Sequence, residues 1–343
     1  MNYLFWSLPF LVIILLFVFY FGKIMLKVLP TKVKNYPLIY WISLIILIGF
    51  NIYLRTPLMG FLIYFTLFHM IYDLLRLLSY PFKKVNNFLK KLNYKEYPIL
   101  VISILFTLYG VLNAMHPVVT SYNVKVDKQV DEPIKIAFIS DLHLGTPYLN
   151  ENFQNLIKIV NEGNYDIFVL GGDIFDEWTT EKEKEHFFEI LKEIKTKNGS
   201  YYIEGNHDVL NEETYHKYTS SGVRVLQNDV LLIDNKYYLV GRKDRMTREV
   251  QGLEQMLKNV NMTLPIIVLE HQPTSVKELE ENKVDLSISG HTHGGQIWPA
   301  NYFVKYGYYD NGYSKSIISS GYGEWGMPIK TTYHSELVSI TIY

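Results

Sequence analysis

The chain has 343 residues, no cysteine and a formal net charge of -1. This near-neutral total is the sum of a basic N-terminal part and an acidic C-terminal part. Residues 1–116 carry 11 Lys and Arg against two acids, which leaves 22 Lys and Arg against 32 acids in the rest. Because long apolar runs are concentrated in the first half, a single soluble domain is excluded. The lack of cysteine excludes disulfides, thiolate metal ligands and a cysteine nucleophile, so any metal must be held by His, Asp, Glu or Asn.

Four apolar segments within residues 1–116 predict an all-α membrane domain of four transmembrane helices. The first, from Leu4 to Gly22, carries no charge and, at about 1.5 Å per residue, nearly spans a hydrocarbon core of about 30 Å. Three further uncharged runs are somewhat shorter: Leu38 to Leu54, Pro57 to Tyr72 and Pro98 to Met115. The alternative, a water-soluble bundle of buried helices, is disfavoured because polar stretches separate the runs. In the third run, His69 and Asp73 lie one helical turn apart and could pair.

The basic residues predict the orientation of these helices, since Lys and Arg are retained on the cytoplasmic side of a membrane. The stretches after the first and third runs together hold ten Lys and Arg, whereas the turn after the second holds only Arg55. Both basic stretches are therefore expected in the cytoplasm, which places everything after His116 outside. We predict a multi-pass protein of the cell membrane, with the lipid bilayer as a partner and an extracytoplasmic second part.

Residues 117–133 form a polar linker, after which short apolar runs bounded by turn residues predict an α/β domain over residues 134–343. Six runs are expected to be buried strands: Ile134 to Ser140, Ile167 to Gly171, Tyr201 to Glu204, Tyr237 to Gly241, Pro265 to Glu270 and Val284 to Ser289. Helices are expected where apolar residues recur every three or four positions: Asn150 to Asn161, Glu181 to Lys195 and Glu249 to Val260.

Polar blocks follow five of these strands and would meet at one edge of a sheet, which is where open α/β sheets bind ligands. The blocks are Asp141-Leu-His143, Gly172-Asp173 with Asp176, Gly205-Asn206-His207-Asp208, His271-Gln-Pro273 and Gly290-His291-Thr-His293. Each block alone is a weak signal, because a lone histidine or a Gly-Asp turn is usually structural. Together, four His, two Asp and one Asn would fill the coordination of two divalent ions, with a carboxylate bridging ions roughly 3.5–4 Å apart.

These ordered blocks resemble the motifs of the calcineurin-like metallophosphoesterase superfamily: D-x-H, G-D-x-x-D, G-N-H-D/E, a separate H, and G-H-x-H. The extended run from Gly290 to Gln296, with Gly321-Tyr-Gly323 and Glu336, is similar to the bacterial membrane-associated branch of that superfamily. The resemblance covers Asp141 to His293 and leaves out the membrane segments. It implies a four-layer αββα sandwich with two divalent metal ions, Mn, Zn or Fe, between the sheets.

The resemblance also implies a role for each motif residue. Seven would be ligands: Asp141, His143 and His293 of the first metal, Asp173 as the bridge, and Asn206, His271 and His291 of the second. A metal-bound hydroxide would attack phosphorus, while His207 would neutralise developing charge or protonate the leaving oxygen. Asp176 and Asp208 are expected to orient other residues and not to bind metal.

The substrate is less well determined by the sequence than the chemistry. Where relatives tend to have acidic residues, this chain has Arg242, Lys243 and Arg245, which either contact substrate phosphate or form a solvated loop. The segment from Gly172 to Trp178 resembles enzymes that cleave the pyrophosphate of UDP-diacylglucosamine. The aromatic stretch from Trp298 to Trp325 would line a pocket, enter the headgroup layer or pack beneath loops.

We therefore predict an integral-membrane, metal-dependent phosphoric ester hydrolase that cleaves a phosphoester or pyrophosphate bond, with a lipid-linked substrate as the first expectation. The alternatives are a hydrolase of soluble nucleotides or phosphodiesters, or a catalytically silent membrane sensor or scaffold. The silent protein is disfavoured because all seven ligand candidates and His207 are present. Nucleic acid is not expected as a partner because the second half is strongly acidic. The sequence does not indicate protein partners.

Overall fold

The computed structural model of the chain describes residues 16–27, 33, 35–93, 96–145, 153–247 and 249–343, apart from the side chain of Ile52. The chain divides into two compact units, Met1–Val111 and Leu112–Tyr343. Most of the first predicted span, Leu4 to Gly22, lies outside the described residues; residues 16–27 are helical.

Four further helices follow in the described part of the N-terminal region: α1 Pro37–Leu54, α2 Leu58–Leu78, α3 Lys83–Leu92 and α4 Tyr97–Met115. Among the described residues, α2 and α4 are long and apolar enough to cross a membrane, and α1 has a shorter apolar part, Pro37–Asn51. Two such helices support membrane association. They do not establish the predicted region of four transmembrane helices.

A buried polar pair in the first unit differs from the expected pairing of His69 with Asp73. The Nδ1 atom of His69 lies 2.8 Å from the carbonyl oxygen of Phe65, and its Nε2 atom lies 3.1 Å from Oε2 of Glu96. Asp73 instead accepts a hydrogen bond of 2.8 Å from the hydroxyl of Tyr20. Both ring nitrogens of His69 are therefore occupied by other partners, which leaves neither of them for Asp73.

The second unit contains twelve strands and five α-helices in its described part beyond α4. The strands are β1 Val118–Val124, β2 Ile134–Ile139, β3 Ile167–Leu170, β4 Ser200–Ile203, β5 Val223–Leu226, β6 Asp229–Ile233, β7 Tyr237–Gly241, β8 Ile266–Leu269, β9 Leu286–Ser289, β10 Gly307–Asp310, β11 Lys315–Ile318 and β12 Glu336–Ile342. The helices are α5 Phe153–Glu162, α6 Glu181–Leu191, α7 Glu212–Ser220, α8 Leu253–Met256 and α9 Val276–Glu281.

These strands form two mixed six-stranded sheets, with the orders β1-β12-β2-β3-β4-β5 and β10-β11-β9-β8-β7-β6. Between the sheets, Phe138 of β2 and Ile288 of β9 belong to one buried apolar cluster. Phe187 of α6 packs on the outer face of the first sheet, and Leu253 and Leu279 pack on the outer face of the second. The predicted α/β class is confirmed, and its layers are stacked as αββα.

All six predicted strands are present, as β2, β3, β4, β7, β8 and β9. They were recognisable because strands buried on both faces appear as continuous apolar runs. The helix expected from Glu249 to Val260 is reduced to Leu253–Met256, and the start of the helix expected from Asn150 lies outside the described residues.

Strand β1 corrects the linker predicted for residues 117–133. Val118–Val124 pairs in parallel with β12 along its whole length. This edge strand is exposed on one side, so its polar Ser121 and Asn123 resemble the residues of a linker in the sequence. The part that remains without regular structure is residues 125–133.

The structure also corrects the predicted contact of Arg242 with substrate phosphate, because this side chain is buried. Its Nη1 atom lies 3.2 Å from Oε2 of Glu270, and its Nη2 atom lies 3.1 Å from Oε1 of Glu278. A further bond of 3.0 Å reaches the carbonyl oxygen of Gln251. A buried guanidinium needs such partners to offset its lost hydration, so Arg242 serves to connect β7 with β8 and α9.

Candidate metal centre

The predicted ligands follow the carboxyl ends of neighbouring strands in the two sheets: β2, β3 and β4 in the first, and β8 and β9 in the second. The structure brings six of them into two groups of three. Asp141, His143 and His293 form one group, and Asp173, His271 and His291 form the other. Within each group, one ligand atom per residue lies within 4.8 Å of the others.

The two groups lie close to each other, with Asp173 between them. Its Oδ2 atom lies 3.0 Å from Nε2 of His271 in its own group and 3.8 Å from Nε2 of His143 in the other. The Nε2 atoms of His143 and His293 are 3.2 Å apart. Two imidazole nitrogens that converge in this way beside carboxylates are arranged as donors toward a common point, as a cation requires.

A buried side-chain oxygen without a hydrogen-bond partner supplies a second argument that metal ions fit this site. The Oδ1 atom of Asn206 is buried and has no hydrogen-bond partner among the described residues. An unsatisfied buried oxygen costs about 1–3 kcal/mol, so it requires an explanation. Asn206 is the seventh predicted ligand, and an amide oxygen without a hydrogen-bond partner suits coordination.

Five predicted ligands adopt the left-handed backbone conformation that non-glycine residues rarely use. Their φ angles are 55° at Asp141, 45° at His143, 53° at Asp173, 69° at His291 and 49° at His293. Each costs on the order of 1–3 kcal/mol and persists only where neighbouring contacts hold the backbone. Such strain concentrates at functional sites, where it aims side chains in directions that regular structure does not offer.

Asp208 supplies many of the contacts that hold this backbone. Its Oδ2 atom accepts hydrogen bonds from the backbone amides of Asp173 at 2.7 Å and Gly205 at 3.0 Å. Its Oδ1 atom accepts bonds from the amides of Ile174 at 3.0 Å and Phe175 at 3.1 Å. Asp208 therefore joins the loop after β3 to the loop after β4, in the supporting role predicted for it.

Two motif glycines are required because the carboxylates lie against their backbone. A Cβ atom at Gly205 would lie 2.2 Å from Oδ1 of Asp173, and one at Gly290 would lie 2.3 Å from Oδ2 of Asp141. Backbone amides complete the fixation of both carboxylates. His207 donates to Asp173 at 2.8 Å, and His291 donates to both oxygens of Asp141 at 3.0 Å.

Burial and mutual charge set the protonation of these groups. Burial lowers the pKa of His143 to about 3 and the pKa of His293 well below its usual value, so both rings are neutral and able to bind metal. Burial likewise raises the pKa of Asp141 to about 6.

His271 and Asp173 behave as an ion pair. Burial opposes both charges, but the hydrogen bond and charge of Asp173, aided by the charge of Asp141, raise the pKa of His271 to about 10. His271, supported by His143 and the His207 amide, in turn lowers the pKa of Asp173 to about 2. The Nδ1 atom of His271 lies 2.9 Å from the carbonyl oxygen of Gly171, which aims Nε2 at Asp173. A cation bound by these two side chains would displace the Nε2 proton.

His207 lies beside the two groups without belonging to either. Its ring centroid is 5.2 Å from that of His143 and 5.8 Å from that of Trp325. Its Nδ1 atom lies 3.8 Å from Oε2 of Glu177, and its side chain is partly exposed. Asp176 is buried with Oδ2 3.9 Å from Nδ1 of His143, which is consistent with the orienting role expected for it.

The other two basic residues of the predicted substrate cluster remain partly accessible, unlike Arg242. Lys243 forms an ion pair with Glu249. Arg245 donates to the carbonyl oxygen of Pro273 at 2.9 Å and to the Thr274 hydroxyl at 3.0 Å. Both lie in the loop that borders His271. A contact with substrate phosphate therefore stays a prediction for Lys243 and Arg245.

The aromatic stretch divides into packed and exposed residues. Tyr322 is buried, and Tyr306 stacks on Tyr333 with ring centroids 3.9 Å apart. Phe303 is 85% exposed and Trp325 is 50% exposed. We call these two side chains, with the exposed Tyr302, the aromatic rim.

Gln296, the last residue of the extended histidine motif, holds one side of the aromatic rim in place. Its Oε1 atom accepts a bond of 3.0 Å from the amide of Trp325, and its Nε2 atom donates to the Trp325 carbonyl at 3.1 Å. The motif residue thereby fixes the backbone of the tryptophan that lies beside His207.

Lys330 is a residue near the centre that sequence reasoning missed. It is fully buried, and its Nζ atom donates to the carbonyl oxygen of Gly321 at 3.1 Å. The same loop contacts the first ligand, since the amide of Gly323 donates to the Asp141 carbonyl at 3.0 Å. The charge of Lys330 also helps to lower the pKa of His293. No motif or spacing in the sequence distinguishes this lysine from a surface lysine.

Comparisons with known proteins agree with this geometry. Residues 134–295 match the family model of the calcineurin-like phosphoesterases. An uncharacterized metallophosphoesterase of Helicobacter pylori is 30% identical over 240 residues, which cover 66% of this chain and 64% of that protein. One of Aquifex aeolicus is 30% identical over 258 residues, covering 70% and 97%. A Danio rerio protein named as a transmembrane protein with a metallophosphoesterase domain is 27% identical, covering 71% and 61%.

The chain thus spans slightly less than two thirds of the Helicobacter pylori relative and nearly all of the one from Aquifex aeolicus. Within the matched segment lie all the loops that carry the two groups of three. The chain belongs to the calcineurin-like metallophosphoesterases.

Proposed function

We propose that the chain is a multi-pass membrane enzyme that uses two divalent metal ions to hydrolyse a phosphoester or pyrophosphate bond in a lipid-linked substrate. The observation that carries the proposal is the meeting of two groups of three metal-binding side chains, with the half-exposed Trp325 of the aromatic rim beside His207. The metal centre accounts for the phosphoryl chemistry. The aromatic rim accounts for an apolar substrate.

The residues suit two ions of the Mn, Zn or Fe class, because each group of three offers two imidazoles and one carboxylate. Asp173 would bridge the ions, and Asn206 would add its buried amide oxygen to the second site. When bound, the ions would supply positive charge that lowers the pKa of a water molecule and neutralises phosphate oxygens. The left-handed backbone at five ligands holds the donor atoms in place before substrate arrives.

His207 is proposed to act on the phosphoryl group or its leaving oxygen. The ring is close to His143 but lies outside both groups of three, and it is partly exposed where substrate can reach it. The carboxylate of Glu177 lies 3.8 Å from Nδ1 of the ring. This arrangement suits a proton donor or a positive charge for the transition state.

The catalytic domain is proposed to lie outside the cytoplasm. Between the candidate spans α2 and α4, helix α3 contains four lysines and no acid, as expected for a segment retained in the cytoplasm. Only residues 116–117 lie between α4 and β1 in the chain. The domain name of the Danio rerio relative gives independent support for membrane association.

The topology predicts that protease added to intact cells, with any outer barrier permeabilised, cuts within residues 125–133. Strand β1 is paired with β12, so the nicked halves should separate only after denaturation. Immunoblots with and without denaturant measure both effects. Protection of this segment until the cells are lysed would contradict the outward orientation.

The bridging role predicts different metal losses in two matched variants. Asp173→Asn should lose more bound metal than Asp141→Asn, because only Asp173 is proposed to contact both ions. Elemental analysis of the purified proteins measures this, with Asp310→Asn as a control for an exposed carboxylate far from the ligand loops in the sequence. Two metals per chain and an unchanged rate in Asp173→Asn would overturn the two-metal proposal.

The proposed role of His207 predicts that His207→Ala keeps near-normal metal content but loses roughly 10²–10⁴ in turnover. An activated nitrophenyl ester should lose less than an alkyl ester if His207 protonates the leaving oxygen, since a good leaving group needs little protonation. The control is His216→Ala, which changes an exposed histidine on α7. Equal losses with both esters would favour charge stabilisation, whereas metal loss as large as in His291→Ala would identify His207 as a ligand.

The aromatic rim predicts a substrate-dependent effect of Phe303→Ser. If the ring packs on a lipid chain, kcat/KM for a lipid-linked pyrophosphate in mixed micelles should fall about 10- to 100-fold, the equivalent of burying one large apolar side chain. The rate with a soluble nitrophenyl ester should not change. Leu232→Ser, at a partly exposed position on β6, is the matched control. An equal change in the rates with the lipid-linked pyrophosphate and the soluble ester would indicate a soluble nucleotide or phosphodiester as substrate.

A further inference from the structure

Helix α3 is strongly amphipathic, and the described structure leaves its apolar face uncovered. Val85, Phe88 and Leu92 recur at intervals of three and four residues and therefore share one face. They are 50%, 62% and 56% exposed. Phe82, just before the helix, is exposed as well. A surface helix of a water-soluble protein normally turns such a face inward, so this orientation requires an explanation.

The helix is held by a buried polar residue at the flank of its apolar face. Asn86 lies about 100° around the helix from Val85 and about 120° from Leu92, and it is buried. Its Nδ2 atom donates to the carbonyl oxygen of Arg76 at 2.9 Å, close to the end of α2. This bond satisfies an amide that would be costly to bury alone, and it keeps the apolar face directed away from α2.

The charges of α3 indicate what covers that face. The helix contains no acidic residue, and its polar positions include four lysines near its two ends: Lys83, Lys84, Lys90 and Lys91. Candidate membrane spans precede and follow it in the chain. A helix with an apolar face, flanking lysines and no acids has the composition of segments that lie in the plane of an anionic membrane surface.

We infer that α3 is an interfacial helix that binds anionic phospholipid headgroups of the cytoplasmic leaflet. Val85, Phe88 and Leu92 enter the boundary between headgroups and acyl chains, while the lysine ammonium groups bind lipid phosphates. The inference rests on the membrane placement proposed above but concerns a different surface, ligand and leaflet from the catalytic reaction. A second protein chain is a poorer occupant, because four lysines would then need a matching acidic groove.

The absence of cysteine makes a direct test possible in the full-length protein. Phe88→Cys and Asn87→Cys are each labelled with an environment-sensitive fluorophore and reconstituted into vesicles of mixed phosphatidylcholine and phosphatidylglycerol. Both residues are exposed, but Asn87 lies on the lysine side of the helix. The label at 88 should be quenched by brominated acyl chains at a depth of about 5–10 Å and shielded from aqueous iodide. The label at 87 should be quenched mainly by iodide.

A third label separates failure of this inference from failure of the membrane proposal. Ile46, on the exposed apolar surface of α1, is replaced by Cys in the same protein. Acyl-chain quenching at 46 but not at 88 would overturn the inference while membrane embedding stands. Quenching at neither position would overturn both. A label at 88 that is shielded from both quenchers would show that protein, and not lipid, covers the face.

Lipid composition tests the headgroup chemistry. Immersion of the label at 88 should decrease when phosphatidylglycerol is replaced by phosphatidylcholine, and it should decrease further when salt is raised. Each lysine changed to Gln should weaken the bound state roughly fivefold, since one basic residue near an anionic surface contributes on the order of that factor. Equal immersion in both lipids would overturn anionic recognition. Unchanged turnover of a soluble ester in all variants checks that the catalytic domain is intact.

Discussion

Four hydrogen bonds to the carboxylate of Asp208 hold the metal-binding loops in a conformation that the backbone would not otherwise keep. They join the amides of Asp173, Ile174 and Phe175 to the amide of Gly205, across the ends of β3 and β4. Hydrogen bonds to a charged group contribute about 1.5–3 kcal/mol each, which is comparable with the strain of one left-handed residue. The position of Asp173, the proposed bridging carboxylate, therefore depends on an acid that is not itself among the proposed ligands.

The site could be predicted from the sequence because its chemistry sits directly after strands. Each strand buried on both faces is a visible apolar run, and the residue types that follow it are rare as a set. Residues that stabilise the site from distant parts of the chain show no such pattern in the sequence. Lys330 and Arg242 are both buried by tertiary contacts, yet in the sequence they have the same appearance as solvated basic residues. The substrate assignment of Arg242 failed for that reason, and Lys330 was missed.

The same distinction explains the fold. Six of the eight interior strands were predicted, and the interior strands β11 and β12 were not. The edge strands β1, β5, β6 and β10 were not predicted either, because an edge or half-exposed strand mixes polar and apolar residues and resembles a loop. Val118–Val124 becomes a strand only because β12, more than two hundred residues later, offers it hydrogen bonds along its whole length. Pairing at that separation is a property of the folded topology and not of the local sequence.

Apolar side chains are exposed in two separate places. Their exposure to water is unfavourable in free energy, whereas contact with lipid acyl chains is not. Phe303 and Trp325 are exposed in the aromatic rim, where Trp325 lies beside His207, and Phe88 is exposed on a basic helix between candidate spans. A soluble phosphoesterase would gain solubility by replacing these side chains with polar ones, since half or more of each is exposed. Retaining them makes physical sense if both surfaces meet acyl chains, one belonging to the substrate and the other to the bilayer. The membrane would then have two roles: it would embed the helices, and it would contain the lipid-linked molecule that is cleaved.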